Sequence, residues 1–285
     1  MIKSSTFLET EQLSLSNELV VLGIQATPLT SLLLSKGSVE KAMSTVYTWR
    51  EKTIDNTDDI TFAEGSETTV FQESVKRELN NILQIFKKAV SISGTAEAMQ
   101  RNKFTEEVSD RLLELKINLE KTLINGLKDD GSTTGIRKMS GIIEMADAAN
   151  AVTASNGVDA LLQGMRKMWD NDLSEGQYYA FVNADIKEEI DTHFQSSYSY
   201  QHKTTNFGLL VETINTNYGQ VNLVLSKHVP ADKIVLFNDK YVDMVTLREA
   251  QFEALAKTGD STKGHIVGEY SLKVASPKGV AILTV

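Results

Sequence analysis

Residues 104–127, FTEEVSDRLLELKINLEKTLINGL, are the stretch on which the reading of the fold turns. Val108, Leu112, Leu115, Leu119, Leu123 and Leu127 recur at spacings of four, three, four, four and four, which draws one apolar stripe down an α-helix. Thr105 can cap the first turn, and Glu106 and Glu107 lie where the positive end of the helix dipole favours negative charge. Asp129, Asp130 and Gly131 end the run. Such a helix spans roughly 35 Å, about twice the usual length, and works as a strut. Its narrow stripe leaves more than half of the circumference polar, which predicts a helix laid across a sheet and not enclosed in a bundle. An ordinary long core helix would carry the same periodicity.

Composition sets the outer limits. The 285 residues suffice for one large domain or two modest ones, and 41% apolar residues is a globular content. A net charge of −9 argues against a protein that grips nucleic acid by neutralising phosphates over a broad basic surface. There is no cysteine, hence no disulfide framework and no thiolate metal site, and folding in a reducing cytosol is expected. The opening MIKSSTFLETEQLSLSNELV offers no apolar core for a signal peptide, and no segment approaches the ~20 apolar residues of a bilayer span. No repeat of a solenoid or propeller is evident.

In chain order, residues 1–27 are rich in Ser, Thr and Glu and suit an extended arm that folds against a partner. Pro28 biases its predecessor toward extended geometry, and the short apolar run Leu32, Leu33, Leu34 closes at Gly37. Residues 45–54, TVYTWREKTI, read as a strand, followed by the acidic loop NTDDITFAEGSETT at 56–69. Over 72–93 two patterns compete: Val75, Leu79, Ile82, Leu83 and Phe86 have helical spacing, whereas Val90-Ser91-Ile92-Ser93 alternates like a strand. After the long helix come a turn-rich loop at 128–135, a short helix at 139–149 and an amphipathic helix marked by Val158, Leu161, Leu162, Met165, Met168 and Trp169. Tyr178 to Val182 reads as a buried strand and leads into a helix through Phe194, an α+β arrangement. Residues 195–208 form a polar loop, and the remainder is mostly β: 220–225, 233–237, 241–247, 264–275 and 280–285. The last two strands are expected to pair as a hairpin around Ser276-Pro277-Lys278-Gly279.

Chemistry finds little support. No GxSxG elbow, GxxxxGK[ST] or GxGxxG pattern appears, and His193, His202, His228 and His265 share no metal-ligand spacing. Asp129 and Asp130 sit in a loop without the oxygen-donor alternation of a calcium site. No catalytic, cofactor-binding or metal residue is nominated. The one enzyme reading left, a cytosolic α/β enzyme with its site near the end of the 178–182 strand, rests on that strand-helix unit alone.

Four passages carry a resemblance: Thr27-Pro28-Leu29-Thr30-Ser31-Leu32 after a polar arm; Tyr47-Thr48-Trp49-Arg50 followed by Ala63-Glu64-Gly65; NILQIFKKAVSISGT at 81–95; and GEYSLKVASPKGVAILTV at 268–285. In this order the sequence resembles the major capsid proteins of tailed bacteriophages, the SU-ten-like family with the Hong-Kong-97 fold. The resemblance implies an α+β fold with an N-terminal arm at 1–27, the start of a peripheral domain at 28–44 and an extended β-hairpin loop at 45–93. It further implies that the peripheral domain resumes at 94–135 around a spine helix at 105–127, that an axial α+β domain occupies about 136–235, and that 236–285 returns to the peripheral domain. By the same resemblance residues from about 77 to 93 are the returning strand of the hairpin.

The implied function is a structural one: copies self-assemble into hexamers and pentamers of an icosahedral virion capsid, formed in the host cytoplasm, around double-stranded DNA bound without sequence specificity. Portal protein and scaffolding or decoration proteins are the implied partners, with no membrane, no cofactor and no catalysis. Leu29, Leu32, Trp49, Arg50, Glu64 and Phe71 are the expected inter-subunit contacts, apolar groups supplying affinity and charges the register. An acidic chain suits a shell around DNA, because a strongly cationic lining would hold the packaged polymer. The alternative on the same fold is an encapsulin-like nanocompartment enclosing a cargo enzyme.

Overall fold

The computed structural model describes residues 27–53, 61, 63–65, 67, 74–95, 104–173, 176–198, 212–257 and 259–285. Of the arm expected at 1–27 only Thr27 lies within them, the polar loop expected at 195–208 is described only to Tyr198, where the backbone is still helical, and most of the acidic loop after 53 lies outside them. The long helix is present as Phe104–Asn125, here α2, the second helix after α1 at Pro28–Ser35. Val108, Leu112, Leu115, Leu119 and Leu123 are buried along it, as the spacing requires. The helix stops two residues short of the expected end, and Leu127 is 70% exposed. Gly126 and Gly141 explain the stop. The Gly141 amide donates to the Gly126 carbonyl at 2.8 Å, and a Cβ on Gly141 would lie 2.5 Å from the Gly126 nitrogen. Two backbones that close admit no side chain between them.

The strut crosses a four-stranded sheet. Its strands are β1 (Val39–Lys41), β4 (Gln84–Ser93), β10 (Val242–Ala254) and β11 (Ser261–Val274), in the order β1-β10-β11-β4. Phe86 and Val90 of β4, with Ile266, Tyr270 and Leu272 of β11, face the leucine stripe in one core. The enclosure is greater than a narrow stripe implied. Lys116 and Glu120, on the flank of the stripe, are as buried as its leucines.

A second sheet has six strands: β5 (Val152–Thr153), β6 (Tyr178–Val182), β7 (Thr213–Thr216), β8 (Gly219–Leu225), β9 (Lys233–Asn238) and β12 (Val280–Thr284), in the order β5-β12-β9-β6-β8-β7. On one face lie the helices that follow the short α3 (Ile142–Met145), namely α4 (Gly157–Asp170) and α5 (Ala184–Tyr198). Tyr178, Ala180 and Val182 point into that layer, whereas Tyr179 and Phe181 alternate to the other side and join the spine-helix core. The YYAFV run is apolar throughout because both of its faces are covered.

Residues 28–35 form a helix: proline is well suited to the first turn, where no intrahelical N–H is needed, and its extended bias falls on its predecessor Thr27 at φ −138°, as expected. Three expectations need correction. Residues 75–82 and 84–93 are two strands, β3 (Val75–Ile82) and β4, so the helical spacing over 72–88 was coincidental; but only β3 returns along the hairpin, whereas β4 pairs with β11 in the four-stranded sheet, so the returning strand ends at Ile82 and not at 93. The helix expected over 139–149 shrinks to α3 and a single 3-10 turn at Ala148–Asn150. Finally, β11 and β12 do not pair. The Pro277–Gly279 turn hands the chain from the four-stranded sheet to the six-stranded one, where β12 lies between β5 and β9, so the last strand is not part of the sheet beneath the spine helix.

Candidate functional site

Two places stand out: the ribbon that follows β1 and the helix start at residues 27–30. The ribbon is β2 (Val46–Thr53) paired antiparallel with β3, Val46 opposite Ile82 and Thr53 opposite Val75. On β2 the exposed residues alternate with the half-buried Tyr47, Trp49 and Glu51, and β3 is largely exposed from Val75 to Asn80. Arg50 stands opposite Glu78 and Lys52 opposite Lys76.

The near end is clamped. Asn81 is fully buried; its amide donates to the carbonyls of Ser140 at 3.0 Å and Leu272 at 2.6 Å, and its oxygen accepts from the amides of Ile82 at 2.8 Å and Ser140 at 2.9 Å. The Trp49 indole donates to the Val274 carbonyl at 3.0 Å, and Ser276 donates to Glu51. Tyr47 donates to Glu40 on β1, whose carboxylate also takes Lys273 of β11 at 2.5 Å, with Asp243 3.5 Å from the same ammonium. Burial opposes the Glu40 charge, but Lys273 and Tyr47 outweigh it and hold its pKa below the ordinary carboxylate value. The Tyr47 hydroxyl is pushed up, chiefly by its bond to Glu40.

A comparable tie fixes the loop after the spine helix. Glu269 of β11, nearly buried, accepts from Arg248 Nε at 2.8 Å and Nη2 at 2.7 Å, and Arg137 lies 3.7 Å from its other oxygen. Register shifts flank Arg248 on β10 and aim it back at this carboxylate.

The residues expected to meet neighbouring copies are spread over these parts. Leu29 is 1% exposed in the core of its own chain, and Leu32 packs partly buried against that core. Trp49 is half-buried at the ribbon's root. Arg50 projects from the exposed ribbon, 4.0 Å from Glu78, and Glu64 sits exposed in a turn beside Gly65, whose φ of +78° suits glycine. Phe71 lies outside the described residues. Sequence reading missed Glu40, Asn81, Glu120 and Lys273. For Glu120 one signal existed, since it directly follows a stripe leucine and falls where a wheel places it at the edge of the apolar face.

Among the described residues no group of acids and histidines is arranged to hold a metal ion, and no helix is long and apolar enough to cross a membrane. A groove of about 390 Å³ between β4 and α2 is lined by Lys88, Glu107, Arg111 and Glu114, and their ion pairs satisfy one another.

Comparison places this architecture among known shells. The capsid of cyanophage A-1(L) superposes with a TM-score of 0.65 at 11% identity, covering 100% of this chain and 96% of the other. The capsid protein of cyanophage P-SCSP1u gives 0.63 at 13%, covering 87% and 85%. The holo-SrpI encapsulin of Synechococcus elongatus gives 0.60 at 14%, covering 100% and 91%. At such identities these similarities speak to the fold, that of Hong-Kong-97-type capsids. No curated protein matches by sequence. The family model described as SU10 major capsid protein matches residues 2–285. The spine helix across its sheet, the ribbon rooted beside it and this match lead to one conclusion: the chain belongs to the SU10 major capsid protein family and is a tailed-phage major capsid protein.

Proposed function

We propose that copies of this chain close into hexamers and pentamers of an icosahedral shell holding double-stranded DNA, with the β2–β3 ribbon, the segment before Thr27 and the six-stranded domain as the joining parts. The observation that carries the reading is the ribbon: a two-stranded hairpin with one face of β2 and most of β3 exposed, held on its other side by Asn81, Trp49 and Glu51. A two-stranded ribbon is marginal alone in water, so one aimed this firmly is made to lie on another surface. Each copy then offers one surface to a different surface of the next, and such heterologous contacts close into rings. Arg50 and Glu64 are the exposed candidates for its register, with Phe71 on the same loop. The net charge of −9 suits a lining that lets DNA leave. Portal and scaffolding or decoration proteins complete the set of partners, the shell forming in the host cytoplasm without catalysis by this chain.

The experiment is electron microscopy of the expressed full chain across concentration, alone and with its assembly partners. Closed shells are expected; a chain that stays monomeric under all these conditions overturns the reading. Deleting residues 1–25 is expected to leave a folded subunit that fails to close shells, and equal assembly by the truncated chain removes the arm's role. The similarity to the SrpI encapsulin favours one rival, a compartment around protein cargo. Nuclease treatment separates the two: a phage shell protects packaged DNA, whereas a cargo compartment protects none.

A further inference from the structure

Helix α1 begins without a cap of its own. Pro28 has no N–H, and Thr27 makes no side-chain bond to the first turn, so the amides of Leu29 and Thr30 need acceptors from elsewhere. Glu120, some ninety residues on and in the middle of the spine helix, supplies both. Leu29 N donates to Oε1 at 2.8 Å, Thr30 N to Oε2 at 2.8 Å, and the Thr30 hydroxyl reaches Oε2 at 2.5 Å. Glu120 and Thr30 are 0% exposed, Leu29 1% and Thr27 2%. One carboxyl thus pins the point from which residues 1–26 depart.

We propose that Glu120 is a proton-operated latch at the root of the N-terminal arm: carrying a proton it seats residues 27–30 on the spine helix, and on ionising it loosens them. Burial is the largest influence on this carboxyl and disfavours its charge; the Thr30 hydroxyl and the two amides act in the opposite sense and do not cancel it, so its pKa lies above the ordinary value of 4.5. The 2.5 Å contact serves both states, since the Thr30 hydroxyl donates to a carboxylate and accepts from a carboxylic acid. Among the described residues no charged side chain counts among the influences on this carboxyl. Helix α1 has none from Pro28 to Ser35, and Lys36 beyond it is paired with Asp239 at 3.2 Å. On the spine helix Lys116 lies buried one turn earlier and Lys121 faces solvent, while Asp243, on the strand packed against α1, is 3.5 Å from Lys273. The sign follows from linkage. The seated state binds the proton more tightly than an opened state with Glu120 in water, so the seat is firmest below 4.5 and weakens as pH rises through the raised value. Used in assembly, which rests on the function proposed above, the latch sets whether the arm leaves the body in one direction or freely.

The test is hydrogen exchange on the full-length, unassembled subunit, following the Leu29 and Thr30 amides from pH 4.5 upward after correction for intrinsic exchange. Their protection is expected to fall by up to about tenfold per pH unit over the window and then to level. In Glu120→Gln, which keeps the shape and removes the proton, the corrected protection should not change with pH. In Thr30→Val, which removes one donor to the carboxylate, the fall should begin at higher pH. A wild-type profile that is flat, or identical to that of Glu120→Gln, overturns the proposal, and the wild-type profile alone decides if a variant does not fold. This readout needs no shell, so its failure is separate from failure of the assembly experiments.

Discussion

Asn81 spends its whole amide on four backbone groups from three parts of the chain, and nothing else in the ribbon's root could serve all four. Asn81→Leu, of similar volume, leaves those donors and acceptors buried without partners; a loss of roughly 3 kcal/mol is expected in urea unfolding. Glu40 answers to pH in the direction opposite to Glu120. Its folded pKa lies below 4.5, so its contribution is complete above that value and disappears as pH falls through the lowered one. The stability difference between wild type and Glu40→Gln should therefore shrink in acid, read as the gap between their urea midpoints at neutral pH and below pH 4. A constant gap would remove the Lys273–Glu40 pair as its source. Residues of this kind were invisible in the sequence because a polar side chain looks the same whether it ends in water or in a buried network.

At the level of elements, periodicity was a faithful guide where burial is one-sided and continuous. The leucine stripe of α2 to Leu123 and Leu161, Met165 and Met168 of α4 came through because they meet one apolar layer, but Leu162 and Trp169 of the expected α4 face are exposed, at 41% and 54%. It misled over 75–93, where Ile82, Leu83 and Phe86 are buried by different neighbours around the junction of β3 and β4, so no one surface set their spacing. Proline chemistry misled at 277, because the residue fixes φ locally and says nothing about which partner the next element will find. The end of α2 shows how sharply close backbone contact can act. Gly141→Ala puts a methyl against the Gly126 nitrogen and the Ile124 carbonyl, and a cost of roughly 1–3 kcal/mol is expected by thermal unfolding. Leu119→Ala, at a fully buried point of the stripe, should cost about 2–5 kcal/mol.

Over the whole molecule the two sheets are not independent. Phe181 and Phe237 of the six-stranded sheet stack with centroids 5.4 Å apart and share a core with the spine helix and the four-stranded sheet. Loss of the spine-helix core should therefore reach the six-stranded sheet, and Leu119→Ala is expected to lower a single transition seen alike by far-ultraviolet and near-ultraviolet dichroism. Two separated transitions would mean that the shared aromatics do not couple the sheets. The subunit's architecture was largely open to sequence reading, through the strut and the four matching passages; its exchange of strands between sheets was not, since only coordinates reveal which edge a late strand joins.

That exchange bears on the order of events at the ribosome. Strand β12 enters between β5 and β9, both made earlier, and Val280, Ala281 and Leu283 fill positions that nothing else occupies. A chain halted before residue 280 leaves the slot between β5 and β9 open, one strand in from the sheet's edge. Synthesis that stops short there leaves the two-residue outer strand without its only neighbour among the described residues.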